Sequence, residues 1–277
     1  MALSAVVNSI VDVGINTNGV GIERRTLRPV LSRFHALLTF GGIVGAAVAA
    51  LAAGVGVGVV PHFAGVAVAG AAAAIAFSRW LAPDHRAEPA TATPVRASWI
   101  LGLGGLALCV TLAEGSGNDW SAVYLHGLGV SEAVAATGVV AFLGAMTLGR
   151  LAGDQLRARI GTVALFRGSV TTAAAGLGTA LMVDAPGAGF AGFAMLGLGV
   201  SITLQLLLGV ASHRAADTGR SPASAVAQVS MVAYLGSLTG PLLIGVLATN
   251  TSLSTALVTP VAATAVAALA AHLIDRE

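Results

Sequence analysis

Apolar residues run along this chain in long blocks, broken at fairly even intervals by short polar stretches. A helix rises about 1.5 Å per residue, so about 20 apolar residues cross a hydrocarbon core of about 30 Å. Nine blocks meet that length, at roughly 2–22, 36–55, 61–81, 97–118, 131–150, 164–183, 189–211, 223–247 and 254–274. They are too long for strands and lack period-two alternation. The pattern predicts an all-α, polytopic transmembrane helical bundle of about nine spans. Gly and Ala are frequent inside the blocks, as suits helices that approach closely in lipid.

Composition sharpens this picture. Charged residues make up 9% of the 277 positions and hydrophobic ones 56%, whereas a soluble domain carries about 25% charged residues. So much apolar surface requires lipid as a solvent. All 14 basic residues are arginine, and their placement is one-sided. Arg24, Arg25, Arg28 and Arg33 follow the first block, and Arg79, Arg86 and Arg96 follow the third. Arg150, Arg157, Arg159 and Arg167 follow the fifth, Arg214 and Arg220 the seventh, and Arg276 the ninth. Positive charge collects on the cytoplasmic side of membranes. The expected topology therefore puts the N-terminus of this chain outside and its C-terminus in the cytoplasm. The segment APDHRAEPATATPVRAS, from Ala82 to Ser98, is the one extended polar stretch and reads as a linker. It predicts a partial N-terminal bundle of three spans at 1–81, a cytoplasmic linker at 82–96 and a six-helix bundle at 97–277.

Several function classes fall away. Without lysine there is no phosphate-cradling G-x-x-x-x-G-K-[ST] loop, which excludes a self-contained nucleotide-driven pump. The six histidines are scattered without metal-ligand spacing, so neither a metal nor a cofactor is expected. No serine–histidine pair at matching depth suggests an intramembrane enzyme. The arginine clusters suit anionic lipid head groups better than nucleic acid. Cys109 lies in an apolar run and reads as a small packed hydrophobe.

Three segments carry a family resemblance: GRLAGDQLRARIG at Gly149–Gly161, DVGINTNGVGIERRTLRPVLSRFHALLTFGG from Asp12, and YLGSLTGPLLIG at Tyr234–Gly245. Together they resemble the major facilitator superfamily of secondary transporters. The second is similar to a bacterial subgroup with the pattern D-V-x-x-N and S-x-F-H-A, here Asp12, Asn16, Ser32, Phe34 and His35. The resemblance implies a major-facilitator-like fold in which this chain corresponds to spans four to twelve and lacks the first three. It implies a cytoplasmic gate loop of Gly149, Arg150, Gly153, Asp154, Arg157, Arg159 and Gly161. Asp154 is its acid, with Arg150, Arg157 and Arg159 as candidate partners. Gly236, Gly240 and Pro241 would serve helix packing.

The polar residues inside or beside the blocks are the candidate substrate and coupling set: Asp12, Asn16, Glu114, Asn118, Asp119, Trp120 and Gln205. From Ala97 to Ala113 the helix covers about 26 Å, which puts Glu114 near the outer boundary of the bilayer. Two readings of it stand side by side. Glu114 and Asp119 are either a solvated helix terminus with Trp120 as an interfacial aromatic, or Glu114 faces a cavity as substrate contact or proton carrier. Asp12 lies mid-block, where an ionised acid costs about 3 kcal/mol and so points to function, and Asn16 shares its face. Gln205 reads equally as helix–helix glue or as a ligand contact. His35, beside Arg33, reads as a boundary residue.

The function expected is secondary active transport of a small solute, coupled to protons or another ion through alternating access. The alternative is a non-transporting membrane remnant or scaffold. The partners expected are the lipid bilayer, a small-molecule solute and protons, with no nucleic acid. Oligomeric state and any complementing partner stay open.

Overall fold

The computed structural model describes residues 30–79 and 98–275, with a few positions between 14 and 26. Asp12, Asn16, most of the block at 2–22 and the whole of the expected linker at 82–96 lie outside the described residues. Among the described residues every regular element is helical. In order they are α1 (Leu31–Gly54), α2 (Val59–Ser78), α3 (Ser98–Gly127), α4 (Glu132–Ile160), α5 (Thr162–Val183), α6 (Pro186–Val200), α7 (Thr203–Asp217), α8 (Pro222–Asn250), α9 (Leu253–Ala256) and α10 (Val258–Leu269). A 3-10 turn at Ala270–Ile274 follows α10.

Six stretches are long and apolar enough to cross a membrane: Val59–Ser78, Ser98–Gly127, Glu132–Ile160, Pro186–Asp217, Pro222–Asn250 and Leu253–Ile274. That makes the chain a multi-pass membrane protein. The count is six among the described residues, and the nine spans expected from the sequence are not supported. The blocks at 36–55 and 164–183 fall on α1 and α5, which are not among the six. In α5, Arg167, Ser169, Thr171 and Thr172 dilute the apolar character of an otherwise adequate length.

Helix ends follow local chemistry. Ser131, Ser221 and Ser252 sit at N-caps, each accepting a hydrogen bond from a backbone N–H three residues on. Pro186 and Pro222 open α6 and α8, where a missing N–H costs nothing. At Gly161 the backbone turns to φ +80°, which stops α4 and starts α5 without a spacer. Short connections of this kind hold successive helices side by side.

The chain divides into two compact units, Phe40–Thr91 and the remainder, Met1–Thr39 with Ala92–Glu277. Within the first, α2 has no buried residue. The second is held by two apolar clusters. One gathers Leu103, Leu106, Phe166, Leu207 and Val229; the other gathers Phe142, Leu177, Phe193, Leu196 and Ile244. Lipid tails are as apolar as these side chains, so close packing and polar contacts, more than the hydrophobic effect, hold the helices together. The closest example is α3 against α8. A Cβ on Gly236 would run into the Leu108 carbonyl oxygen and the Thr111 hydroxyl, and one on Gly240 would lie 2.9 Å from the Leu112 carbonyl. In the space these glycines leave, Thr111 Oγ1 donates across the interface to Ala233 O at 2.6 Å.

Candidate functional site

The two clusters meet at a polar level. On α3 the change comes between Val110 and Ala113, and on α6–α7 between Val200 and Ile202. Glu114 and Ser201 stand at those points.

The centre of this level is Arg150, in the second half of α4 with its side chain only 7% exposed. A buried guanidinium is tolerable only when its donors are matched. Here Nε donates to Ser201 O at 2.9 Å, and Nη1 donates to His35 O at 3.3 Å and to Thr39 Oγ1. Nη2 donates to Glu114 Oε1 at 3.0 Å, closing a salt bridge between α4 and α3.

Ser201 is available because α6 and α7 do not join. The single apolar block expected at 189–211 breaks at Ser201–Ile202, and irregular backbone at such depth needs protein partners. Side chains supply them. Ser201 Oγ donates to Leu198 O at 2.6 Å and Thr203 Oγ1 to Val200 O at 2.8 Å. With its amide nitrogen turned to the backbone, Gln205 donates to Ile202 O at 3.1 Å and Ser201 O at 3.3 Å.

A cavity of about 240 Å³ opens on this network. Its polar lining comes from Thr111 and Glu114 on α3, Arg150 on α4, Gln205 on α7 and Ser230, Tyr234 and Ser237 on α8, with His35 and Leu38 of α1 completing it. Residues 230, 234 and 237 fall four and three apart, which places them on one helix face. The Ser230 hydroxyl is buried and has no hydrogen-bond partner among the described residues.

The sequence candidates separate accordingly. Glu114 and Gln205 come together at the cavity. Glu114 does not sit near a helix end, however: α3 continues unbroken to Gly127 and leaves it in the middle. Reading the first polar residue as the end of the apolar run misplaced it. Gly115 and Gly117 do not break the helix. Gly115 faces Ser237 O at 3.4 Å and the Pro241 ring, and Gly117 accommodates the ring of Phe142. Asn118 and Asp119 are exposed and turn to one another at 3.4 Å, away from the cavity lining. Trp120 packs on the second apolar cluster, with Nε1 buried and unbonded among the described residues.

The segment Gly149–Gly161, expected as a loop, is helical through Ile160. Between its two end glycines nothing disfavours helix strongly enough to stop α4. Two of its glycines are contact points instead, Gly149 against Ser201 and Leu198, and Gly153 against Ile202 and Ser32. Asp154 pairs with Arg33 at 3.6 Å rather than with the arginines of its own segment, and Ser32 hydrogen-bonds to it. Arg157 pairs with Glu23 at 3.5 Å, Arg159 is exposed, and Arg150 belongs to the mid-helix network. Glu23 Oε1 also accepts from Val30 N at 2.8 Å and Leu31 N at 2.9 Å, capping the start of α1.

Thr39, Ser201 and Ser230 were invisible as site residues in the sequence, and His35 read only as a boundary residue. Lone hydroxyls in apolar helices ordinarily bond their own backbone. The one local hint was the run of small and hydroxylated residues at Gly197, Gly199, Ser201 and Thr203.

No protein-family model matches the chain. It is 33% identical over 252 residues to an uncharacterised MFS-type transporter of Yersinia pestis, covering 89% of this chain and 64% of that protein. It is 33% identical over 241 residues to an uncharacterised transporter of Sinorhizobium fredii, covering 86% and 63%. The membrane protein MosC of Rhizobium meliloti is 28% identical over 286 residues, covering 100% and 67%. The chain thus spans just under two thirds of the length of the first two relatives.

Proposed function

Because the chain belongs to the MFS-type transporters of the major facilitator superfamily, we propose that it takes part in secondary active transport of a small solute across the bacterial plasma membrane. The reading rests chiefly on one observation: an ion pair, Glu114 with Arg150 at 3.0 Å, borders a cavity at the middle of membrane-spanning helices. Charge is costly at that depth and persists where it serves a pathway.

In this reading Glu114 is the coupling carboxylate and Gln205 a substrate contact. Glu114 accepts a proton or releases Arg150 as the cavity changes the side to which it opens. Ligand and proton act by their differential affinity for the two openings. The ion pairs Arg33–Asp154 and Arg157–Glu23 belong to the cytoplasmic gate, and they bias the equilibrium without fixing it. The segments after Gly54 and after Ser78 lie on opposite sides of the membrane spanned by α2, the one at Arg79 being cytoplasmic. Tags inserted at residues 58 and 90 should then report from opposite compartments.

The test is uptake by vesicles containing the purified chain, under an imposed proton gradient, with a panel of labelled amines, polyols and carboxylates. Gradient-dependent uptake of one class, lost in Glu114→Gln, is the expected result. Flux no greater than that of empty vesicles, with the helical signal of folded protein intact, sinks the proposal and favours a scaffold role.

A further inference from the structure

Three polar groups lining the cavity, on Thr111, Glu114 and Ser230, can each accept a hydrogen bond from a solute. Arg150 has five N–H groups, and four are already committed, to Ser201, His35, Thr39 and Glu114. Its positive charge is matched by Glu114 and its side chain is 7% exposed. A small anion would find no free guanidinium fork and would meet a carboxylate. Glu114 is 31% exposed, and only Oε1 is engaged by Arg150, which leaves Oε2 as an acceptor. Thr111 gives its one hydroxyl proton to Ala233 O, so towards the cavity it can only accept. Ser230 is 3% exposed and unbonded among the described residues, a buried polar atom that needs a partner.

We propose that the cavity recognises a small solute bearing a protonated primary amine, its ammonium donating to Glu114 Oε2, Thr111 Oγ1 and Ser230 Oγ. Three donors on one ammonium match three acceptors on two helices, α3 and α8. The cavity, about 240 Å³, is large enough to hold water and to admit a small solute. The inference rests on this cavity being the transport site proposed above.

Three probes of one skeleton separate the charges: 2-amino-1,3-propanediol, glycerol and glycerate. Binding of each to the purified chain in detergent micelles is followed by saturation-transfer NMR at neutral pH. The amine is expected to bind about tenfold more tightly than glycerol, as one additional charge-assisted hydrogen bond provides, with glycerate weakest. Glu114→Gln keeps the side-chain size and should erase the preference. Ser230→Ala leaves the ion pair untouched and should weaken the amine severalfold with no change in thermal unfolding. Glycerate as the best ligand overturns the proposal. So does equal binding of amine and glycerol, or no binding of any probe to protein whose circular dichroism is intact. The two readings fail separately: amine bound but not carried in vesicles sinks the transport function and leaves the recognition. Glycerate carried in preference to the amine sinks the recognition and leaves the transport function.

Discussion

Two sets of ion pairs, one in mid-helix and one at the helix ends, use the same residue types under different constraints. At the middle, Arg150 is 7% exposed and bonded to α1, to α3 and to the break between α6 and α7. At the ends, the Arg33 side chain is 56% exposed opposite an Asp154 that is 4% exposed, and Arg157 is 21% exposed opposite Glu23 at 5%. The acids there are the buried partners, while the arginines reach outward. The middle site is thus built around a cation that has no water to fall back on. The end sites hold a buried carboxylate in place, with Arg33 largely solvated and Arg157 partly so. Loss of a partner should be severe in the first case and mild in the second.

The largest effect should come from Arg150→Ala. It leaves Glu114 without a counter-ion and Ser201 O without its donor. With Glu114 31% exposed, the loss should fall somewhat below the cost of breaking a fully buried pair, about 3–5 kcal/mol. Thermal unfolding in detergent should show it, with Arg150→Lys retaining only part of the stability because lysine lacks the fork. If Arg150→Ala unfolds at the wild-type temperature, the mid-helix network does not hold the bundle.

Next comes Gly236→Leu. Its side chain would meet the Leu108 carbonyl and Thr111 directly, and overpacking of this kind costs about 1–3 kcal/mol. Stability and the rate of proteolysis between α3 and α8 report it. A Gly236→Leu protein as stable as the parent would mean that the two helices do not approach as closely as described.

Glu23→Ala should be smaller. It removes the acceptor for Val30 N and Leu31 N together with the Arg157 pair, and loss of a cap costs about 0.5–2 kcal/mol. Hydrogen exchange at Val30 and Leu31 is the specific readout, and unchanged protection would contradict the cap.

Arg33→Ala should be the smallest. A half-solvated pair contributes about 0–1 kcal/mol, and that contribution should shrink further at high salt. A loss as large as that of Arg150→Ala would erase the distinction between the two regions.

Much of the architecture is legible in the sequence. Block length against the thickness of a bilayer predicted helices. Glu114 and Gln205 were legible as candidates because a polar side chain among apolar residues stands out. Where the polar run at Leu112–Leu125 lay within its helix was not legible. Composition marks where a hydrophobic block weakens, but a helix in a bundle continues as long as neighbours satisfy its polar residues. Glu114 therefore sits mid-helix, and Arg150 meets it from what read as a loop.

The sequence alone determined the solvent and the helical class. Those follow from local sums: apolar area per residue, rise per residue, charge per segment. Only the tertiary structure decided which arginine meets which acid, where α6 gives way to α7, and that Ser201, Thr39 and Ser230 belong to one polar level with Glu114. Such pairings join residues far apart in the chain. A buried charge takes whichever acceptors packing brings within about 3 Å, and no local pattern records which those will be.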